Sequence, residues 1–334
     1  MKVQKLFVIT LVVCLVLNIS IIGFAMDQKN EVLLKFAHVA APTRSYAQAC
    51  DKLAEWAEER SGGRLKIEVF PGGQLGNERD SAEGVKMGTI DMCLVGSSTL
   101  GIWEDDFSIL GVAFIWKDFD HMLKVVRGPI GQEMMDKIVK STSIKVLDMG
   151  WIDGQRYFNT NKPIRTPDDI VGLKIRVPEV PIFFSNMKAM GASVVAMPFS
   201  EVFTSVQTGV IDGQENPLNS IYANKFYEIT KYVNLSAHVT QNLAIIINNA
   251  RFNKIPKDLQ DILVKATIDA GDWLTQQTIE TFDYYLQLLI DEGMTIIDDV
   301  DRDAFREKCK GPILEEWGEK WTEGLYEEIV EMGN

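Results

Sequence analysis

Apolar positions along this chain switch repeatedly between two periods. Val32–His38 reads as a strand, and from about Tyr46 to Arg60 the period becomes helical, with Ala49, Leu53, Trp56 and Ala57 on one stripe. Ser61-Gly62-Gly63 stops that helix. Leu65–Phe70 then alternates Leu65, Ile67 and Val69 against Lys66 and Glu68, the pattern of a half-buried strand. A second helix over about Glu78–Met87 ends at Gly88 and leads into a strand over Ile90–Val95. This β-α-β-α-β order predicts a mostly parallel sheet covered by helices.

A second alternating block starts near Gly150. Lys174–Val177 and Ser193–Ala196 read as strands with a helix around Ile182–Met190 between them, and Glu201–Thr208 reads as a helix stopped by Gly209. Tyr232–Ser236 and Leu243–Asn248 are again strand-like. From Pro256 to about Asp291 helix formers run on, with Gly271 the one internal Gly or Pro. Such a stretch is too long for one small domain. It predicts a helix crossing two domains and bent near Gly271, or two ordinary helices broken there.

The first 25 residues bear on the compartment. Lys2 and Lys5 precede an apolar run from Leu6 to Ile22, and Gly23-Phe24-Ala25 supplies the small-x-small pattern of a cleavage site. The alternative, a membrane anchor, needs a longer run and a basic stop-transfer cluster, which does not follow. Cys14 lacks the small following residue of a lipoprotein signal. Cleavage after Ala25 removes two lysines and no acid, which moves the formal net charge from −13 to −15. With no polybasic stretch left, nucleic acid and anionic lipid are poor partners, and no later segment reads as a membrane span. The remaining length exceeds what one core usually organises, so two domains are expected. Cys50, Cys93 and Cys309 lie far apart with no CxxC spacing and read as buried free thiols.

Catalytic signatures are missing. His38, His121 and His238 are the only histidines and share no metal-ligand spacing. GxSxG, HExxH, P-loop and GxGxxG patterns do not occur. The expectation is therefore a binding protein without cofactor or metal, not an enzyme. Arg156 and Arg176 draw attention because a guanidinium matches a carboxylate bidentately, and Arg176 ends the predicted strand Gly172–Arg176, where α/β sheets hold ligands. Asp212-Gly213-Gln214-Glu215-Asn216-Pro217 reads as a polar turn whose Asn216 offers a neutral amide donor.

Several runs then give a specific resemblance: Phe70-Pro71-Gly72-Gly73-Gln74-Leu75-Gly76, Gly88-Thr89-Ile90-Asp91-Met92, Gly172–Pro178, Met197–Phe203, Asp212–Pro217 and Lys225-Phe226-Tyr227-Glu228. In order and spacing they resemble the substrate-binding proteins of TRAP (tripartite ATP-independent periplasmic) transporters, the C4-dicarboxylate-binding (DctP) family. The last fifty residues match less distinctively. The resemblance implies a two-domain periplasmic-binding fold, each domain a mixed, mostly parallel sheet flanked by helices, with hinge crossings near Asp153 and Gln241 and along the long helix. It implies domains over 26–153 plus 242–281 and over 154–241 plus 282–334. By the same resemblance Arg176 clamps the ligand carboxylate, Arg156 is a second basic contact, and Asn216 completes the carboxylate site. Phe199 packs on the carbon skeleton, and His38, Glu78, Glu179 and Trp151 are further cleft residues. Implied partners are a small organic acid and a small and a large integral membrane subunit, with the binding protein a monomer. Glu78 and Glu179 suit hydroxyls and repel a second carboxylate. The segment Gly96-Ser97-Ser98-Thr99 lacks the acidic residue and the arginine of sialic-acid binders. A sugar acid (uronate or aldonate) is therefore ranked above a C4-dicarboxylate, and sialic acid last.

Overall fold

A computed structural model describes residues 31–333. The leader and cleavage site expected over residues 1–25 lie outside the described residues. Nine strands form one continuous sheet: β1 (Val32–Ala37), β2 (Leu65–Phe70), β3 (Met92–Gly96), β4 (Ile144–Thr160), β5 (Lys174–Val177), β6 (Ser193–Ala196), β7 (Gly213–Asn216), β8 (Tyr232–Asn248) and β9 (Thr295–Ile297). The order is β2-β1-β3-β8-β4-β7-β5-β6, with β9 on β8. Parallel pairs occupy the two outer parts (β1 with β2 and β3, β5 with β6 and β7), while β3–β8, β8–β4 and β4–β7 are antiparallel.

Two 17-residue strands, β4 and β8, tie the sheet into two lobes. β3 pairs Leu243–Ile247 at one end of β8, while β9 pairs Tyr232–Asn234 at the other. β7 correspondingly pairs Tyr157–Thr160 at the far end of β4. The β4–β8 register shifts four times between Val146 and Phe158, and Gly154 takes φ +116°. Such bulges bend and twist a ladder without ending it. They also explain why the sequence pattern reads Tyr232–Ser236 and Leu243–Asn248 as separate strands: a bulge resets the alternation. The expected polar turn at Asp212–Pro217 is corrected too, because Gly213–Asn216 is a fully buried strand.

The helices form where their stripes predict. In the helix Ser45–Arg60, Ala49, Leu53 and Ala57 are fully buried at a four-residue repeat. The helix Glu78–Met87 starts on an Asn77/Asp80 capping box and ends at Gly88 with φ +79°. The long segment is two helices, Lys257–Glu280 and Phe282–Asp291, and the break falls at Thr281. Thr281 Oγ1 accepts no ladder role; it donates to the Gln277 carbonyl four residues back at 2.6 Å, a bond that bends helices. Gly271 instead lets the helix approach Trp151, since a Cβ there would stand 2.5 Å from Trp151 Cδ1. Cys50, Cys93 and Cys309 are buried free thiols, as expected. Among the described residues no helix is long and apolar enough to cross a membrane.

Candidate functional site

A cavity of about 520 Å³ opens between the lobes. The β1–β3 lobe lines it with Arg44, Tyr46, Glu78 and Gly96, and the β5–β7 lobe with Arg176, Glu179, Phe199 and Asn216. Asp153, Arg156 and Gln241, on the two crossing strands, form its floor. Of the eight residues singled out from sequence, six reach this cavity: Arg156, Arg176, Asn216, Phe199, Glu78 and Glu179. His38 and Trp151 do not line it.

Trp151 is fully buried in the core of the first lobe, where its indole Nε1 donates to the Thr267 carbonyl at 3.0 Å. Its large apolar surface is consumed by the helix Lys257–Glu280. His38 is 2 % exposed behind the cleft wall, with Nδ1 accepting from the Ala40 amide at 3.2 Å and Tyr46 edge-on at 6.0 Å. Burial, then the charge of Arg44, lowers its pKa to about 4, so it is neutral at physiological pH.

The three buried arginines differ in their partners. Arg156 is held by both carboxylate oxygens of Glu215, by the Glu215 carbonyl at 2.7 Å and by Gln241 Oε1, and lies 5.0 Å over the Phe183 ring. Glu215 also has His238 Nε2 3.3 Å from Oε2, and His238 stacks on Phe158 at 4.4 Å. Burial works to raise the Glu215 pKa, but Arg156 and His238 outweigh it and hold it below the usual range. Arg44 pairs with Asp153 at 2.5 Å. Arg176 has no carboxylate partner among the described residues: Nε and Nη2 both donate to the Met197 carbonyl, at 3.0 and 2.7 Å. Phe199 lies 5.7 Å from its guanidinium. Burial, then Arg156, brings the Arg176 pKa down to about 10, which leaves it charged at neutral pH.

The remaining polar groups set the texture of the cleft. Glu78 Oε1 accepts from the Gly96 amide at 2.9 Å and Thr99 Oγ1 at 2.8 Å, which leaves Oε2 for the cavity. Asn216 gives an amide hydrogen to Gln214 Oε1. Sequence reasoning missed Arg44, Gln241, Glu215 and His238. Glu215 stood beside Asn216 in a run already singled out, but nothing local distinguishes a buried carboxylate there from a solvated one. Arg44 reads as an ordinary surface arginine before a helix.

Comparison with known proteins fits this geometry. Residues 36–320 match the family described as bacterial extracellular solute-binding protein, family 7. A solute-binding protein of Roseobacter denitrificans is 35% identical over 85% of this chain and 87% of its own. Its crystal structure with bound L-galactonate superimposes with a TM-score of 0.84 at 33% identity, covering 91% of this chain and 99% of that one. The 2,3-diketo-L-gulonate-binding periplasmic protein of Escherichia coli is 33% identical, with 81% of this chain and 83% of the relative covered. The C4-dicarboxylate-binding periplasmic protein of Rhodobacter capsulatus is 30% identical, with 86% and 87% covered. On a family match that spans most of its length, and on relatives of this identity and coverage, the chain belongs to the bacterial extracellular solute-binding proteins of family 7, the periplasmic solute-binding proteins of TRAP transporters.

Proposed function

We propose that this protein captures a sugar acid, a uronate or aldonate, in the interlobe cleft through an Arg176–carboxylate clamp. The observation that carries the proposal is the ionic state of the three buried arginines. Among the described residues Arg44 and Arg156 each have a carboxylate, and Arg176 has a carbonyl alone. A buried charge without a counter-charge is costly, and a ligand carboxylate supplies the missing one in the planar geometry a guanidinium favours. With Arg44 and Arg156 already matched, one ligand carboxylate satisfies Arg176. A second would face Glu78 and Glu179, which instead suit hydroxyl donors. The relatives named for L-galactonate and 2,3-diketo-L-gulonate support the sugar-acid class. The Rhodobacter relative favours the second reading, a C4-dicarboxylate.

In this proposal the leader is removed near Ala25 and the protein acts in the periplasm as a monomer. The domains divide at 26–153 plus 242–281 and 154–241 plus 282–334, and the loaded protein delivers its solute to a small and a large integral membrane subunit. A periplasmic enzyme acting on sugar acids would turn its ligand over, whereas a carrier releases it intact on denaturation. The test of the clamp is calorimetry of the mature chain against a panel of hexonates, hexuronates and dicarboxylates. Arg176→Ala is expected to lose about 3–5 kcal/mol of binding free energy for the best ligand, the scale for breaking a buried pair. Unchanged affinity in that variant would refute the clamp, and a wild-type preference for dicarboxylates would refute the sugar-acid class.

A further inference from the structure

Arg44 stands on the opposite lobe from Arg176, just before the helix Ser45–Arg60, and is 5 % exposed. Its guanidinium lies 4.1 Å over the Tyr46 ring and gives Nη2 to Asp153 Oδ2 at 2.5 Å. That is its one side-chain hydrogen bond among the described residues; Nε is fully enclosed, and Nη1 is left without a protein partner on the arm that lines the cavity. Asp153 is fixed in turn from the other lobe by Asn219 Nδ2 at 2.9 Å. Glu78 lines the same cavity with Oε2 unused. This part of the cleft therefore holds a donor whose charge is already cancelled, beside an acceptor.

We infer that Arg44 is a specificity-determining residue that donates from Nη1, the guanidinium arm Asp153 does not hold, to a hydroxyl or carbonyl oxygen on the ligand beyond its carboxylate and 2-hydroxyl, and that Asp153 sets the preference by cancelling the charge that would attract a second carboxylate. The inference rests on the sugar-acid reading and deepens it. A buried donor built to meet a ligand oxygen rejects an analogue lacking that oxygen far more strongly than an apolar wall does. The Asp153 bond holds the guanidinium plane in place, so the donor is preorganised rather than ordered on binding.

The test is calorimetric titration of the mature protein with L-galactonate, L-lactate and succinate. L-lactate keeps the carboxylate and its 2-hydroxyl but has no further oxygens. Arg44→Gln is expected to weaken L-galactonate tenfold or more while leaving L-lactate within twofold. Arg44→Lys keeps a cation for Asp153 and removes the second guanidinium arm, so the same selective loss is expected even if the Gln variant does not fold. Asp153→Asn is expected to shift the succinate-to-galactonate affinity ratio tenfold or more towards succinate. Equal weakening of L-galactonate and L-lactate in both Arg44 variants, or no weakening in either, would overturn the assignment while leaving the Arg176 clamp intact. A wild-type protein that takes succinate and no hexonate would overturn the sugar-acid reading itself, and this assignment with it.

Discussion

Arg156 and Arg176 look alike in the sequence, each an arginine in the second alternating block. Their difference is tertiary: Glu215 reaches Arg156 across the β4–β7 pairing, and among the described residues no carboxylate reaches Arg176. The sequence could therefore propose two clamp residues but could not show that one is already neutralised. His38 shows the converse error, because its segment borders the cleft while its ring turns into the wall. That placement makes a pH prediction. With a folded pKa of about 4 against an ordinary 6.5, the unfolded chain binds the extra proton first as pH falls. The stability held by neutral His38 is thus complete above about pH 6.5 and lost progressively towards pH 4, by roughly 3 kcal/mol. His38→Asn keeps an acceptor near the Ala40 amide and does not titrate in this range. Denaturant unfolding at pH 7 and pH 4.5 should show a smaller acid loss in the variant than in wild type. Equal losses would show that His38 is not a source of the acid sensitivity.

At the scale of elements, the alternating strands and striped helices were legible because one face of each is buried, and burial writes the period into the sequence. β7 was not legible. Its residues Gly213-Gln214-Glu215-Asn216 are all polar or small and all buried, so the usual link between polarity and exposure fails. Their polar atoms are satisfied by one another and by neighbours, as with Gln214 on Asn159 and Glu215 on Arg156. Gly271 failed differently: the sequence marks a glycine in a helix but not whether it is a bend or a close approach. The two readings predict opposite signs for Gly271→Ala. At a bend or an exposed site the substitution gains about 1 kcal/mol of helix propensity. Against Trp151, with Cδ1 at 2.5 Å and Nε1 at 2.7 Å from the new Cβ, overpacking of about 1–3 kcal/mol opposes that gain. The indole cannot swing away while Nε1 holds the Thr267 carbonyl. A net destabilisation of up to about 2 kcal/mol in urea unfolding is expected. A stabilised variant would restore the bend.

For the whole molecule, the ligand-facing groups are split between lobes that share β4 and β8. Glu78 and Arg44 belong to one side, Arg176, Phe199 and Glu179 to the other, and the β4 register shift at Ile152/Gly154 lies between them. A ligand can shift the lobe arrangement only by as much as it binds the closed form better than the open one. A solute long enough to touch both lobes has that differential affinity. An anion that reaches only Arg176 does not. Acetate and L-galactonate therefore separate occupancy from closure. Both are expected to raise the unfolding temperature, each by the linkage RT ln(1 + [L]/Kd), so their concentrations can be chosen to give equal stabilisation, about 2.7 kcal/mol at a hundredfold excess over Kd. At that matched stabilisation, small-angle scattering should show a smaller radius of gyration with L-galactonate and an unchanged one with acetate. Equal contraction with both would mean that neutralising Arg176 alone drives closure, and the first lobe would then contribute selectivity but no closing force.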